Sequence, residues 1–297
     1  MHSIKTATEE SKKAGANGPG GNIVNIAIVG KYFNTGDFVL TDAYVSVLEA
    51  IKYSAYKLGL KPVIHTVNAR DFEVKKPNFA PLKKFDGVLV PGGFGESGIE
   101  GKLAVIRYVR EHKIPYFGLC YGMQLMVIEY ARNVLGWPDA NTAEIDAASE
   151  KVVIDIMPDQ KDKLARGDYG GSMRLGSYEA HLKKGTIARE AYGTDTVLER
   201  HRHRYEVNPV HTPDIVKGTE AHAGLVFSGT SPDGKLMEIA ELPRPAAGKV
   251  AGPGEHPFFL GTQFHPEFLA RPLAPHPLFT EFIKAAKAKK SVVKKRK

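Results

Sequence analysis

A single cysteine in 297 residues excludes an internal disulfide and with it a disulfide-stapled secreted fold, and suits a reducing, cytoplasmic setting. No stretch approaches the roughly 18 consecutive apolar residues of a membrane span. The start Met1-His2-Ser3-Ile4-Lys5 has no apolar signal core, so neither membrane insertion nor secretion is indicated. A phosphate-binding G-x-x-x-x-G-K-[ST] loop is also missing, because Gly30-Lys31 and Gly101-Lys102 both lack the upstream glycine. No repeat of fixed period is visible.

The excess of positive charge sits at one end of the chain. Between Lys284 and Lys297 there are eight basic side chains and no acid, which accounts for the whole net charge of +8 and leaves the rest of the chain neutral. A charge excess confined to one end reads as a solvated tail, and no nucleic-acid partner is expected. With 42% hydrophobic residues the body can bury a full core. Residues 1–22, closing on Gly18-Pro19-Gly20-Gly21, read as a flexible leader or interdomain linker. Residues 23–285 read as one domain and 286–297 as a disordered basic tail.

From Ile23 onward apolar strands alternate with amphipathic helices. Strands are expected over Ile23–Gly30, Pro62–Val67, Gly87–Val90, Pro115–Phe117 and Phe258–Leu260, with helices over Thr41–Leu58 and Gly98–His112. This order predicts an α/β three-layer sandwich, a mainly parallel central sheet with helices on both faces. After Val152 the pattern changes to strand-like runs over Val152–Ile156, Met173–Leu182, Val197–Asn208 and Leu225–Leu242, expected to form an antiparallel extension and the remaining edge of the same domain. In open parallel sheets reactive groups gather beyond the carboxyl ends of the strands.

The lone Cys120 lies at such a strand end, in Phe117-Gly118-Leu119-Cys120-Tyr121-Gly122-Met123-Gln124. Glycines on both sides permit a turn sharp enough to lift the sulfur above the sheet, and the following helix points its free N–H groups toward it. The alternative is a cysteine buried as a small hydrophobe. A nucleophilic thiol needs a proton carrier, and His265 in Thr262-Gln263-Phe264-His265-Pro266-Glu267 is the candidate. Glu267, two residues on in an extended segment, shares its side and can fix the ring's tautomer. The Pro91-Gly92-Gly93-Phe94-Gly95 loop, also at a strand end, is placed to offer backbone donors to an oxyanion, and the amides of Gly93 and Tyr121 are the candidates.

Together the G-x-C-x-G-x-Q turn, the P-G-G-F-G loop and the H-P-E triplet resemble the class I (triad) glutamine amidotransferases. Gly30-Lys31-Tyr32 with Asp42-Ala43-Tyr44, Met173-Arg174-Leu175-Gly176, and the string from Glu199 to Asn208 narrow the resemblance to the glutaminase domains of CTP synthases, over about Ile23 to Ala285. The resemblance implies that Cys120 attacks the carboxamide of L-glutamine to form a thioester, with His265 moving protons and Glu267 orienting it. It implies that Gln124 and Glu144 hold the substrate's α-ammonium, that Arg204 and the backbone of Tyr205 hold its α-carboxylate, and that Gly92 and Phe94 shape the pocket floor. Within the same string, His201 and His203 read as structural.

By the same resemblance the ammonia serves a synthetase domain that binds ATP, Mg and UTP and makes CTP. That domain is not in this sequence, which reads as a domain cut from a longer protein or as a subunit with a separately encoded partner. The family carries an arginine after its P-G-G-F-G loop in a region linked to GTP activation. Here Gly95-Glu96-Ser97-Gly98 lacks the cation, which weighs against a GTP effector. No cofactor or metal is expected for glutamine hydrolysis itself. Two other readings fit the same residues: a glutaminase or γ-glutamyl peptidase of another pathway, and a non-catalytic regulatory module of amidotransferase shape.

Overall fold

The computed structural model describes residues 22–30, 44–156, 173–246 and 249–295. Residues 1–21 of the leader expected over 1–22, the Lys31-Tyr32 and Asp42-Ala43 parts of the resemblance, and Arg296-Lys297 lie outside the described residues.

A nine-stranded sheet forms the centre. Its parallel half contains β1 (Ile23–Gly30), β2 (Lys61–Asn68), β3 (Gly87–Val90), β4 (Tyr116–Leu119) and β12 (Phe259–Thr262) in the spatial order β2-β1-β3-β4-β12. The sheet then continues antiparallel through β11 (Met237–Glu241), β10 (Val226–Thr230), β7 (Arg174–Leu182) and β8 (Thr196–His203). Successive side chains on a strand point to opposite faces, so each parallel strand feeds two cores. Ala27, Val29, Val88 and Val90 face one cluster with α2 (Ile99–Glu111) and α3 (Tyr121–Asn133). Ile26, Ile28, Leu89 and Phe117 face the other, with α1 (Val45–Lys57) and the last helix α6 (Pro277–Lys295). Phe117 stacks edge-on against Phe279 at 5.1 Å, and truncating such a core aromatic costs about 3–5 kcal/mol.

Two expectations are corrected. The run Val197–Asn208 is not one strand: it breaks at Arg204, and β9 (Tyr205–Val207) leaves the main sheet. β9 pairs antiparallel with β6 (Val152–Ile156), which pairs in parallel with β5 (Asn141–Thr142), so Val152–Ile156 belongs to a separate three-stranded sheet. Asn208 closes this small sheet by donating to the Val152 carbonyl at 2.8 Å. The second correction is the tail boundary, because α6 continues as helix to Lys295. Ala286 is buried in the core, and the Lys289 ammonium donates to the carbonyl of Phe85 at 2.5 Å. Alanine and lysine have high helix propensity, and cations suit a helix C-terminus. Two short helices that the strand-like pattern hid are α4 (Ile187–Tyr192) and α5 (Thr212–Lys217).

The pairing register decides what meets at the top of the sheet. Val90 pairs with Gly118 across β3 and β4, and Gly118 pairs with Gly261 across β4 and β12. The three strands therefore end side by side, and the segments they release are Pro91–Gly95, Cys120–Gln124 and Gln263–Glu267.

Candidate active site

Cys120 occupies φ 49°, ψ −100°, a left-handed backbone position that a residue with a Cβ adopts only when its surroundings enforce it. The enforcing contacts are visible. A Cβ on Gly118 would stand 2.7 Å from the backbone carbon of Gly122, and the Cys120 N–H is tied to the Thr262 carbonyl at 2.6 Å. Chain reversal from β4 into α3 is thus packed against β12, with the sulfur held at the mouth.

His265 stands beside that sulfur. Its backbone N–H donates to the Arg200 carbonyl at 2.8 Å, its Nδ1 lies 2.7 Å from Oε1 of Glu267, and its ring borders the same cavity wall as Cys120. With Nδ1 committed to the carboxylate, Nε2 is the nitrogen left for sulfur. Phe268 stacks on the ring at 5.0 Å and 12°. Burial opposes charge on His265, but the sulfur of Cys120 and the carboxylate of Glu267 outweigh it and raise its pKa to about 10.

These groups open on a cavity of about 550 Å³. Every residue singled out from the sequence borders it: Cys120, His265 and Glu267; Gly92, Gly93 and Phe94; Tyr121, Gln124, Glu144, Arg204 and Tyr205. Gly92 borders both reactive groups, since a Cβ there would lie 3.0 Å from Cε1 of His265 and 3.7 Å from the Cβ of Cys120. A Cβ on Gly93 would lie 3.9 Å from the Tyr121 ring, so the two candidate oxyanion amides sit on neighbouring segments. Tyr121 is the first residue of α3, where an N–H has no partner within the helix. Glu144 accepts from the Gly95 amide at 2.9 Å, which clamps the glycine loop from the far wall. Arg204 sits at the break between β8 and β9, and its Nε is buried without a hydrogen-bond partner among the described residues.

Sequence reading assigned no site role to several lining residues. Tyr44, Val45, Met173, Arg202 and Phe268 also line the cavity. His203 lines it too, while His201 lies behind it; both are buried, with His201 Nδ1 2.8 Å from His203 Nε2. Burial, together with Arg174 and other nearby cations, lowers His201 to about 2 and His203 to about 3. They join Arg174, whose Nη1 is 2.6 Å from Glu238 and 3.4 Å from Glu206, in a buried polar layer. Burial raises both carboxyls, Glu238 to about 7 despite Arg174. The segment Gly95–Gly98, which has no cation of its own, receives one from outside: Arg70 donates to Ser97 Oγ at 2.7 and 2.9 Å. Among the described residues no group of three His, Cys, Asp or Glu side chains converges as a metal site, and no helix is long and apolar enough to cross a membrane.

The profile of the family "Glutamine amidotransferase class-I" matches residues 39–285. The chain belongs to the class I glutamine amidotransferases. Its fold is similar to the CTPS glutaminase domain of Trypanosoma brucei, solved with bound acivicin: TM-score 0.76 and 36% identity, covering 89% of this chain and 94% of that one. The CTP synthases of Halalkalibacterium halodurans and Pelotomaculum thermopropionicum are each 49% identical over 89% of this chain. The chain spans 45% of the length of these two relatives. It is thus an amidotransferase domain of the CTP synthase glutaminase type.

Proposed function

We propose that this domain hydrolyses L-glutamine to glutamate and ammonia through a cysteinyl thioester, with Cys120, His265 and Glu267 as a catalytic triad. The observation that carries the reading is the His265 ring held at 2.7 Å by Glu267 and bordering the same cavity as the sole cysteine, with Gly92 packed between the two. The sulfur adds to the side-chain carbonyl carbon, and the oxyanion formed is met by the amides of Gly93 and Tyr121. His265 gives its proton to the departing nitrogen as the C–N bond breaks, releasing ammonia and leaving a γ-glutamyl thioester. The neutral imidazole then takes a proton from water, hydroxide adds to the thioester, and the sulfur leaves as thiolate to free glutamate.

Substrate selection follows from the two ends of the cavity. Arg204 offers a planar two-pronged donor to the α-carboxylate, with the backbone of Tyr205 beside it. Glu144 and the side-chain oxygen of Gln124 face the α-ammonium, and Gly92 and Phe94 shape the floor. The ammonia is passed to a synthetase domain that converts UTP to CTP with ATP and Mg, the partner implied by the CTP synthase relatives. Replacement of Cys120 by alanine should abolish ammonia release from glutamine while leaving the circular dichroism spectrum unchanged. Residual turnover near the parent level would rule the mechanism out, and faster release from γ-glutamyl peptides than from free glutamine would point to a peptidase.

A further inference from the structure

Gln263 belongs to none of the roles above. It lies two residues before His265 and is fully buried, its backbone N–H held by the Glu238 carbonyl at 2.8 Å. Its side chain bridges two members of the site. Oε1 accepts from Nε2 of Gln124 at 3.1 Å, and Nε2 donates to Sγ of Cys120 at 3.7 Å, a normal reach for sulfur.

The direction of this bridge is forced by donor and acceptor arithmetic. Gln124 Nε2 also donates to the carbonyl oxygen of Tyr205 at 2.9 Å, and a backbone carbonyl can only accept. The amino group of Gln124 must therefore face Tyr205, and its second N–H is the one that meets Gln263. Only an oxygen can receive it, so Gln263 turns its own amino group toward the sulfur. A flip of either amide would set two donors or two acceptors against each other in a buried place, where an unmet polar group is costly.

We infer that Gln263 is a hydrogen-bond donor to the nucleophile, holding the Cys120 sulfur in its attacking position and stabilising it as the thiolate, with Gln124 fixing which end of Gln263 faces it. This rests on Cys120 being the nucleophile. The sulfur then has two donors, His265 and Gln263. The bond from Gln263 is strongest while the sulfur is charged, which favours the poised state before attack and the departure of thiolate from the thioester.

The test uses the full chain and the fact that Cys120 is its sole cysteine, so alkylation reports on one atom. Iodoacetamide labelling needs no assumption about substrate, and glutamine turnover is followed separately by ammonia release. Gln263→Met removes the donor at similar length. Gln263→Glu keeps an oxygen for Gln124 and sets an acceptor against the sulfur. Both should slow alkylation by about 10- to 100-fold and lower kcat by a similar factor, the size of a hydrogen bond to a charged group, while KM for glutamine changes little. Gln124→Leu, which does not touch the sulfur, should also slow alkylation, because Gln263 is then free to flip. Alkylation within about twofold of the parent rate in a folded Gln263 variant, even with reduced kcat, would reduce Gln263 to packing; if the methionine variant fails to fold, the glutamate variant decides. A parent protein that alkylates readily yet releases no ammonia from glutamine would instead place the failure in the proposed function.

Discussion

A Cβ on Gly122 would stand 2.2 Å from the carbonyl oxygen of Val90. The first turn of α3 is thus pressed onto the end of β3 with no room for a side chain, and this approach brings Tyr121 beside the Pro91–Gly95 loop. Gly122→Ala must push α3 away from β3. Because a misplacement of about 1 Å can cost on the order of 100-fold in rate, glutaminase activity should fall at least that far while the helical spectrum persists. Near-parent activity in a folded Gly122→Ala protein would show that the elbow tolerates the shift.

His265 supplies a pH signature. Its pKa rises from 6.5 in the free side chain to about 10 in the fold, so between these values the folded state binds a proton that the unfolded state does not. Stability from this group is fully present below about 6.5 and is lost as pH rises through about 10. Imidazole nitrogen NMR of the ligand-free domain should show His265 titrating near the upper value. Glu267→Gln and Cys120→Ala should each lower the midpoint, since each removes one of the groups that outweigh burial. A midpoint near neutrality in the parent would dissolve the ion pair.

Arg204 is set to act on binding. In the proposed reading its contact with the α-carboxylate is the same before and during reaction, so Arg204→Ala should raise KM for glutamine by about 10- to 100-fold with a much smaller change in kcat. Arg204→Lys should restore only part of the affinity, because an ammonium lacks the forked geometry. A variant that loses kcat at constant KM would move Arg204 from binding to chemistry.

What the sequence disclosed divides along physical lines. The parallel strands, both glycine turns and the residues that border the cavity were legible because a buried strand reads as an apolar run and a sharp turn needs glycine at fixed places. The break at Arg204 was not, since Val197–Asn208 alternates without interruption and only the packing of Tyr205–Val207 on Val152–Ile156 reveals two sheets. His201 and His203 fall on the inward side of β8, while Arg200 and Arg202 face out. Alternation gives that pairing but not which side is covered. Gln263 was within reach of the argument that linked His265 to Glu267, because it too lies two positions from His265. Its partner Gln124 sits 139 positions away, which local pattern cannot show. The helical end at Lys295 was obscured by the density of positive charge, which reads as solvation until Lys289 is seen capping the Phe85 carbonyl.

The pair Arg110 and Glu129 ties α2 to α3 and tests how the elbow is supported from behind. Two parallel bonds of 2.8 and 2.7 Å join a guanidinium and a carboxylate that are both buried. Burial chiefly raises the Glu129 carboxyl, helped by the charge of Glu111, and Arg110 works against that rise. Removing one partner leaves the other charge stranded in the core, so Glu129→Ala should destabilise the domain by about 3–5 kcal/mol in urea melts. Replacing both by apolar residues of similar size, Arg110→Met with Glu129→Leu, removes two desolvation penalties at once and should return stability to within about 1–2 kcal/mol of the parent. Neither residue borders the active-site cavity, so the double variant should keep its glutaminase activity if α3 needs only to be held in place. Loss of activity in a stable double variant would mean that the charge itself, and not the anchoring of α3, is what Cys120 depends on.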